Sequence, residues 1–250
     1  MPFSPEQVIT RHFLPEKVDF ISGVVMLIDK PAGWTSFDVV NKIRFKLRYG
    51  LNTKKIKVGH AGTLDPMATG LLLVCTGKLT KKIDLLQGED KAYSGTMKIG
   101  ATTPTYDAES DPDELYATDH IIPDLIHKSR AEFIGYQMQV PPIYSALKIE
   151  GKPAYNLARR GKDIIMKARP VTIHTFDILN NDLSALRFFV NCGKGTYIRS
   201  LVFDFGKKLD SGAYLTSLRR ETIGYYTVND ALDIEMATDY IEKATQDILK

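Results

Sequence analysis

Apolar runs and amphipathic stretches alternate along the first third of the chain. Residues 23–29 are apolar and rich in β-branched side chains, and they stop at Asp29-Lys30-Pro31. This pattern predicts a short buried strand. Beyond a capping hydroxyl at Thr35 or Ser36, apolar residues recur at the three- and four-residue spacing of an amphipathic helix: Val39, Val40, Ile43 and Leu47.

The remaining chain mixes strand and helix patterns without a regular alternation. Residues 71–75 form an apolar run, 93–99 alternate with period two, and 170–179 and 186–192 read as further strands. Helical spacing predicts helices at about 123–133 and from Ile198 to Leu209, and 102–119 is a polar loop. The irregular order favours an α+β fold with a mixed, largely antiparallel sheet flanked by helices.

Composition and charge place the chain among ordinary globular proteins. Hydrophobic residues make up 44% and charged residues 25% of the 250 positions, and the net charge of +3 is only mildly basic. Cys75 and Cys192 lie in apolar stretches, which favours buried thiols in a reducing compartment. A signal peptide is not evident, and no apolar run reaches the roughly 20 residues of a membrane helix. We therefore expect a cytoplasmic protein without a membrane partner.

Basic side chains are concentrated between Val39 and Val58, where seven lysines and arginines occur with no acidic residue. A solvated helix face is the simpler explanation of such a run. However, the run leads directly into the conspicuous motif at residues 60–70, and clustered cations suit a phosphate backbone. We therefore predict an RNA-binding surface here that includes Lys54 and Lys55.

Several common chemistries lack their sequence signatures. Gly193-Lys194-Gly195-Thr196 has neither the gap of a Walker motif nor the third glycine of a dinucleotide fingerprint. The five histidines do not fall at metal-ligand spacing, and no C-x-x-C or G-x-S-x-G motif occurs. The sequence therefore predicts no metal and no cofactor.

Residues His60–Gly70 surround one aspartate with two glycines, a proline and two threonines, and an apolar strand follows. Such a loop can hold the carboxylate of Asp65 at the edge of a sheet. A turn aspartate that bonds to nearby backbone is the alternative, and it is the commoner role of Asp-Pro.

The motif and its surroundings resemble the TruB family, the bacterial tRNA pseudouridine(55) synthases. G-H-x-G-T-L-D-P-x-A-T-G at 59–70, with Lys81 beyond it, is similar to the catalytic motif of that family. Further blocks resemble family motifs in the family order: residues 22–36, Lys91-Ala92-Tyr93, 141–148 with Gly151, Tyr155, Ala158, Arg159 and Gly161, then 194–199 and 218–220. The resemblance covers about residues 22–224.

This resemblance implies the pseudouridine synthase fold and a role for each matching residue. Asp65 would be the nucleophile, Tyr93 would stack on the flipped base and assist proton transfer, and Arg199 would pair with Asp65. His60 would fill the space that the base vacates. The other substrate or RNA contacts would be Tyr197, Leu218, Asp107, Lys30 and Lys81. From the residues alone, His60 could instead bond loop backbone, Tyr93 could be a core residue, and Arg199 could be an exposed cation.

The resemblance also sets expectations about domains and partners. We predict a catalytic domain at 1–225 and a short C-terminal tail at 226–250, which is too short for the PUA domain of about 70 residues in longer members. Pro104 stands where the family pattern has a second aspartate, which puts one acceptor in doubt. We expect a monomer that acts on the tRNA T-stem-loop without guide RNA or a protein partner. A guide-dependent relative, or an RNA-binding or tRNA-folding module with vestigial catalysis, are the alternatives.

Overall fold

The computed structural model describes residues 3–145, 147–149, 152–153 and 165–246. Part of the motif at 141–161 therefore lies outside the described residues, including Ala146, Gly151, Tyr155, Ala158, Arg159 and Gly161. The chain divides into two compact units, one formed by Met1–Lys91 with Arg219–Lys250 and the other by Ala92–Leu218.

A mixed sheet forms the centre of the first unit. Its strands are β1 (Val8–Ile9), β2 (Val25–Lys30), β3 (Val58–His60) and β4 (Thr69–Thr76). The end of a long strand from Ala213 to Ile223, here β13, and β14 (Tyr226–Thr227) complete it. Strand β4 is antiparallel to β2 and β3 and parallel to β13, where Gly70 faces Arg220. Pairing on both sides buries β4 and thereby fixes the loop that precedes it.

Helix α1 (Ser36–Gly50) covers this sheet, and α2 (Ile83–Gln87) is a single short turn. The predicted cap is confirmed, since the Thr35 hydroxyl accepts from the Asp38 amide at 3.0 Å and the Asp38 carboxylate accepts from the Thr35 amide at 2.9 Å. This reciprocal pair satisfies two donors at the helix start. The predicted apolar stripe packs in one buried cluster with Ala237, Tyr240 and Ile241 of the C-terminal helix Ile234–Thr245.

The second unit carries a sheet that contains strands β5 (Lys91–Ile99), β8 (Gly135–Gln139), β11 (Arg169–Ile178) and β12 (Leu186–Cys192). The order of its strands is β13-β5-β12-β11-β8. Strand β11 runs antiparallel to both β12 and β8. Two small antiparallel pairs lie outside this sheet: β6 (Ala101–Thr102) with β7 (Glu114–Leu115), and β9 (Lys148–Ile149) with β10 (Lys152–Pro153).

Helices α3 (Pro123–Ala131) and α4 (Ile198–Lys208) belong to the second unit. The C-terminal helix Ile234–Thr245 of the first unit is α5. Phe176 of β11 makes edge-to-face contacts with Phe133, Phe188 and Phe205, at centroid distances of 6.2, 6.1 and 5.4 Å. Aromatic pairs favour this geometry, which locks α4 onto the sheet.

The predicted α+β class with a mixed sheet and flanking helices is confirmed. Every strand and helix predicted from periodicity is present within a few residues of its expected bounds, and Cys75 and Cys192 are buried thiols. Among the described residues, no helix combines the length and the apolar character needed to span a membrane. The predicted boundary between a catalytic domain and a tail at residue 225 stays a prediction. Helix α5, which lies in the predicted tail, packs on α1.

Candidate active site

The loop at 61–68 connects β3 to β4 and carries Asp65 on the first unit. Its ends are fixed by the Ala61 amide, which donates to Leu73 O at 2.9 Å, and by the turn from Asp65 to Ala68, where the Ala68 amide donates to Asp65 O at 3.1 Å. The Asp65 side chain is half-buried. The apolar strand expected to follow this motif is present as β4.

Side chains from three different elements hold this loop at every second carbonyl. Arg220 Nη2 donates to Gly62 O at 3.1 Å, the Ser36 hydroxyl donates to Leu64 O at 3.2 Å, and Lys30 Nζ donates to Pro66 O at 3.3 Å. The Ser36 hydroxyl also accepts from the Leu64 amide at 2.8 Å. These contacts fix the backbone on both sides of Asp65.

Lys30 is completely buried, and its ammonium also donates to Pro31 O at 2.9 Å and Trp34 O at 2.6 Å. Burial lowers the pKa of Lys30 to about 8, while Coulomb attraction from Asp65 opposes this shift and repulsion from Arg220 adds to it. The resemblance suggested Lys30 as a substrate contact. The structure directs its ammonium to backbone carbonyls, where it braces the loop.

Arg220 is 1% exposed, and the sequence did not indicate its role. Its Nε donates to Leu71 O at 2.7 Å, so a single guanidinium bonds both the start of the loop and the strand β4 that follows it. Its neighbour Arg219 points elsewhere and forms two bonds to the Asp29 carboxylate, at 3.1 and 2.7 Å. The period-two geometry of a strand was the available sequence signal, because it places Arg220 on the same face as the apolar Leu218.

His60 ends β3, immediately before the loop, and is half-buried. Its Nδ1 is buried without a hydrogen-bond partner among the residues described. Burial lowers the pKa of His60, the nearby Arg220 guanidinium lowers it further, and the Gly62 backbone acts in the opposite direction. The net shift favours the neutral imidazole, a planar ring that can stack against a base.

The basic residues predicted to contact RNA lie on the surface of the first unit. Lys54 and Lys55 are exposed in the segment after α1, and Lys81 is exposed in the 3-10 segment Gly77–Lys82. Their ammonium groups are therefore accessible to a phosphate backbone, as the prediction requires.

Arg199 and Asp107 form a buried ion pair in the second unit. Arg199 Nη1 lies 3.4 Å from Asp107 Oδ2, and the two side chains are 7% and 1% exposed. The guanidinium also donates to Thr105 O at 3.0 Å and to Tyr144 O at 2.8 Å. The guanidinium at the start of α4 is therefore held in one orientation.

Asp107 is fixed on its other side by its own loop. Its Oδ1 accepts from the Thr105 hydroxyl at 2.5 Å and from the Glu109 amide at 3.0 Å. Thr105 was not singled out by the sequence reasoning, although a hydroxyl two residues before an aspartate is a common turn partner. Pro104, which replaces the second family acid, is exposed.

The remaining candidates also belong to the second unit. Tyr93 on β5 and Leu218 on β13 are buried, at 7% and 8% exposure. Tyr197 precedes α4 and is half-exposed, and its backbone is held by Gln139, which donates to Tyr197 O at 3.1 Å and accepts from the Tyr197 amide at 2.8 Å. The predicted pairing of Arg199 with Asp65 would join the two units and stays a prediction.

The first unit offers a positioned carboxylate with an imidazole and a guanidinium, and the second unit offers aromatic rings and a further guanidinium. Within the described part of the chain, no three histidine, cysteine, aspartate or glutamate side chains are arranged to hold a metal ion. The side chains at hand can supply a nucleophile, a stacking surface and positive charge.

Comparisons with known proteins identify the class. Residues 48–198 match the TruB family pseudouridylate synthase description, N-terminal domain. A protein named tRNA pseudouridine synthase B from Flavobacterium johnsoniae is 51% identical over 90% of this chain and 98% of its own length. One of the same name from Parabacteroides distasonis is 47% identical over 90% of this chain and 96% of its own.

A solved structure supports the same class at lower identity. A chain in the crystal structure of a Cbf5-Nop10-Gar1 complex is 26% identical with a TM-score of 0.66, covering 96% of this chain. Our chain spans 64% of the length of that chain. The chain is thus a pseudouridine synthase, an isomerase. Within that class, the chain belongs to the TruB family.

Proposed function

We propose that this protein is a tRNA pseudouridine synthase that isomerises uridine 55 in the loop of the T-arm. Two kinds of observation support this proposal. Relatives named tRNA pseudouridine synthase B match over nearly their whole length at 47–51% identity. The loop around Asp65, braced by Lys30, Ser36 and Arg220, provides a rigid carboxylate of the kind that covalent catalysis needs.

In the proposed reaction, the target nucleotide leaves its stack and the Asp65 carboxylate attacks it at the base or at the ribose. The bond from N1 of uracil to C1′ breaks, the base rotates, and a bond forms from C5 to C1′. The bond to Asp65 breaks, the proton on C5 leaves and N1 takes up a proton, so substrate and product have the same composition. No external oxidant, reductant or cofactor is needed for this balance.

The other residues act around this attack. His60 fills the space that the base leaves, and Tyr93 stacks on the uracil and assists removal of the C5 proton. Arg199 serves as the counter-ion of Asp65, which keeps the carboxylate ionised. Tyr197 and Leu218 line the uracil pocket, Asp107 holds Arg199 in place, and Lys54, Lys55 and Lys81 contact phosphates.

The protein acts on tRNA by itself: it is a monomer in the cytoplasm and needs neither guide RNA nor a protein partner. The much higher identity to the bacterial relatives than to the Cbf5 chain, 51% against 26%, favours this stand-alone mode over guide dependence. An RNA-binding or tRNA-folding module with vestigial catalysis remains the competing function.

Label release from a T-stem-loop RNA carrying tritium at uridine C5 tests the proposal. Purified wild-type protein alone should release the label in step with pseudouridine formation. Asp65→Asn should bind the RNA as tightly as wild type and lose turnover by at least about a thousandfold, whereas Asp84→Asn, an exposed control on α2, should behave as wild type. Binding without release from wild type would point to the RNA-binding module instead.

A further inference from the structure

Helix α1 presents large aromatic side chains to solvent on the side opposite its buried stripe. Phe37, Phe45 and Tyr49 are 61%, 67% and 75% exposed. Each step of four residues turns the helix by only about 40°, so these rings and Asn41 between them follow one side of the helix. Three aromatic rings exposed along one side of a helix form a contiguous apolar patch, and such patches usually mark a binding site.

Cations share this side of the helix. Lys42 and Arg48 lie on the same half of α1 as the rings, and Lys54 follows after the helix ends. Within the part of the chain that the structure describes, none of these three cations is within 4 Å of a carboxylate. Asp38, the nearest acid in sequence, is engaged with Thr35 in the helix cap at 2.6 and 2.9 Å.

Two recesses border the helix. One, with a volume of about 570 Å³, is lined at the C-terminal end by Phe45, Arg48, Tyr49, Asn52, Thr53 and Lys54. The other, about 430 Å³, is lined at the N-terminal end by Gly33, Trp34, Asp38, Asn41 and Lys42. Each recess combines an aromatic wall with amide and ammonium groups, which is the combination that holds unstacked bases.

We propose that this surface binds unpaired nucleotides of the RNA substrate outside the loop that contains the reacting uridine. The surface, which we call the aromatic-basic face, consists of Phe37, Lys42, Phe45, Arg48, Tyr49 and Lys54. The inference rests on the proposed function, because it assigns a second region of the same RNA to the protein. The rings stack on bases of any sequence, and the cations neutralise the adjoining phosphates.

The position of α1 explains how one RNA can reach both places. The Ser36 hydroxyl ties the first turn of α1 to Leu64, next to Asp65. At a rise of about 1.5 Å per residue, Tyr49 lies about 20 Å further along the helix from Ser36. A substrate that extends beyond the reacting loop can therefore follow the helix away from the nucleophile.

Charge argues for RNA over the other possible occupants. A second copy that packed through this same face would bring Lys42, Arg48 and Lys54 against the same cations, with repulsion at short range. A protein partner would have to be acidic to match these cations, and acidic side chains do not stack on the exposed aromatic rings as nucleic-acid bases do. RNA satisfies both the charge and the ring geometry.

The double variant Phe45→Ala with Tyr49→Ala tests the proposal on two substrates, a full-length tRNA transcript and an isolated T-stem-loop. For full-length tRNA we expect KM and Kd to rise about tenfold or more with kcat unchanged. For the stem-loop all values should stay within about twofold of wild type. Tyr225→Ala, which removes a ring 80% exposed elsewhere on the first unit, is the matched control and should change neither substrate.

Salt dependence separates stacking from charge. Arg48→Gln should lower the slope of log Kd against log salt by about 0.9 or less, whereas the double aromatic variant should weaken binding with the slope unchanged. Circular dichroism should show native folding for all variants, because these side chains are exposed.

Each outcome decides between the two proposals. If wild type releases label from both RNAs and the double variant equals wild type on full-length tRNA, the aromatic-basic face does not bind RNA and the proposed function stands. If the double variant weakened binding of both substrates equally, the aromatic-basic face would bind the T-stem-loop itself, and the inference would be wrong. No release by wild type would contradict the proposed function, while the Kd measurements would still report on the face.

Discussion

The ammonium of Lys30 lies 3.3 Å from the carbonyl oxygen of Pro66, although 36 residues separate them in sequence. Pro66 directly follows Asp65, so the position of the carboxylate depends on a buried cation from a neighbouring strand. The same ammonium satisfies the carbonyls of Pro31 and Trp34. Lys30 therefore joins two loops that would otherwise carry unsatisfied acceptors.

Removal of this ammonium should destabilise the protein. Lys30→Met keeps most of the side-chain volume but leaves the carbonyls of Pro31, Trp34 and Pro66 without this donor, and we expect a loss of about 2 to 4 kcal/mol in the free energy of unfolding. Lys98→Met, at an exposed position, should change it by less than about 0.5 kcal/mol. Urea denaturation measures both, and equal stabilities would contradict the bracing role of Lys30.

The lowered pKa of Lys30 predicts a specific dependence of stability on pH. Between about 8, its value in the folded protein, and the ordinary 10.5, the unfolded chain holds a proton that the folded chain has released. Stability from this group therefore rises with pH across that window, by at most about 1.4 kcal/mol per unit, and is flat below it. The difference in unfolding free energy between wild type and Lys30→Met should grow from pH 8 to 10, and parallel profiles would refute the shift.

Asp107 should be needed for stability because it faces a buried guanidinium. Asp107→Asn keeps an acceptor for Thr105 but removes the charge 3.4 Å from Arg199, and we expect a loss of about 3 kcal/mol. Asp111→Asn removes an exposed charge from the same loop and is the matched control. Thermal unfolding should separate the two variants clearly, and similar midpoints would argue that the ion pair contributes little.

Gly70 should tolerate no side chain. A Cβ there would lie 2.3 Å from Arg220 O and 2.7 Å from Arg220 N, in the pairing of β4 with β13. The φ of Gly70, +102°, would add conformational strain to any side chain. Gly195 is the control, because its φ is also positive, +82°, and nothing lies within 4 Å of a Cβ placed there. Gly195→Ala should therefore cost only the conformational strain of about 1–2 kcal/mol. Gly70→Ala should cost about 4 kcal/mol or more by thermal unfolding, and equal costs would exclude the steric explanation.

The sequence predicted those features that depend on local spacing. Helix α1 was predictable because its apolar stripe repeats at helical intervals behind a capping hydroxyl, and β4 because its apolar run is continuous. Asp65 was identified by the ordered motifs around it, since its immediate neighbours also fit an ordinary turn.

The contacts that hold the site were not predictable in the same way. Arg220 bonds to carbonyls of Leu71 and Gly62, which lie 149 and 158 residues away. Any residue type supplies such a carbonyl, so sequence spacing does not mark the partner. Lys30 was noticed for its motif, but its burial depends on how two loops fold over β2. Phe45 and Tyr49 were not singled out either. The predicted stripe already places them on the opposite side of α1, but the recess that they line with Arg48 and Lys54 is seen only in the structure.

The three donors to Gly62, Leu64 and Pro66 have a consequence for the energetics of binding. The loop has few backbone bonds of its own, yet its conformation is fixed before any RNA arrives. The entropy lost in ordering the loop is therefore a cost of folding, borne once by the core. Binding energy from the RNA can then be used to extract the nucleotide from its stack, because the protein does not need it to organise its own nucleophile.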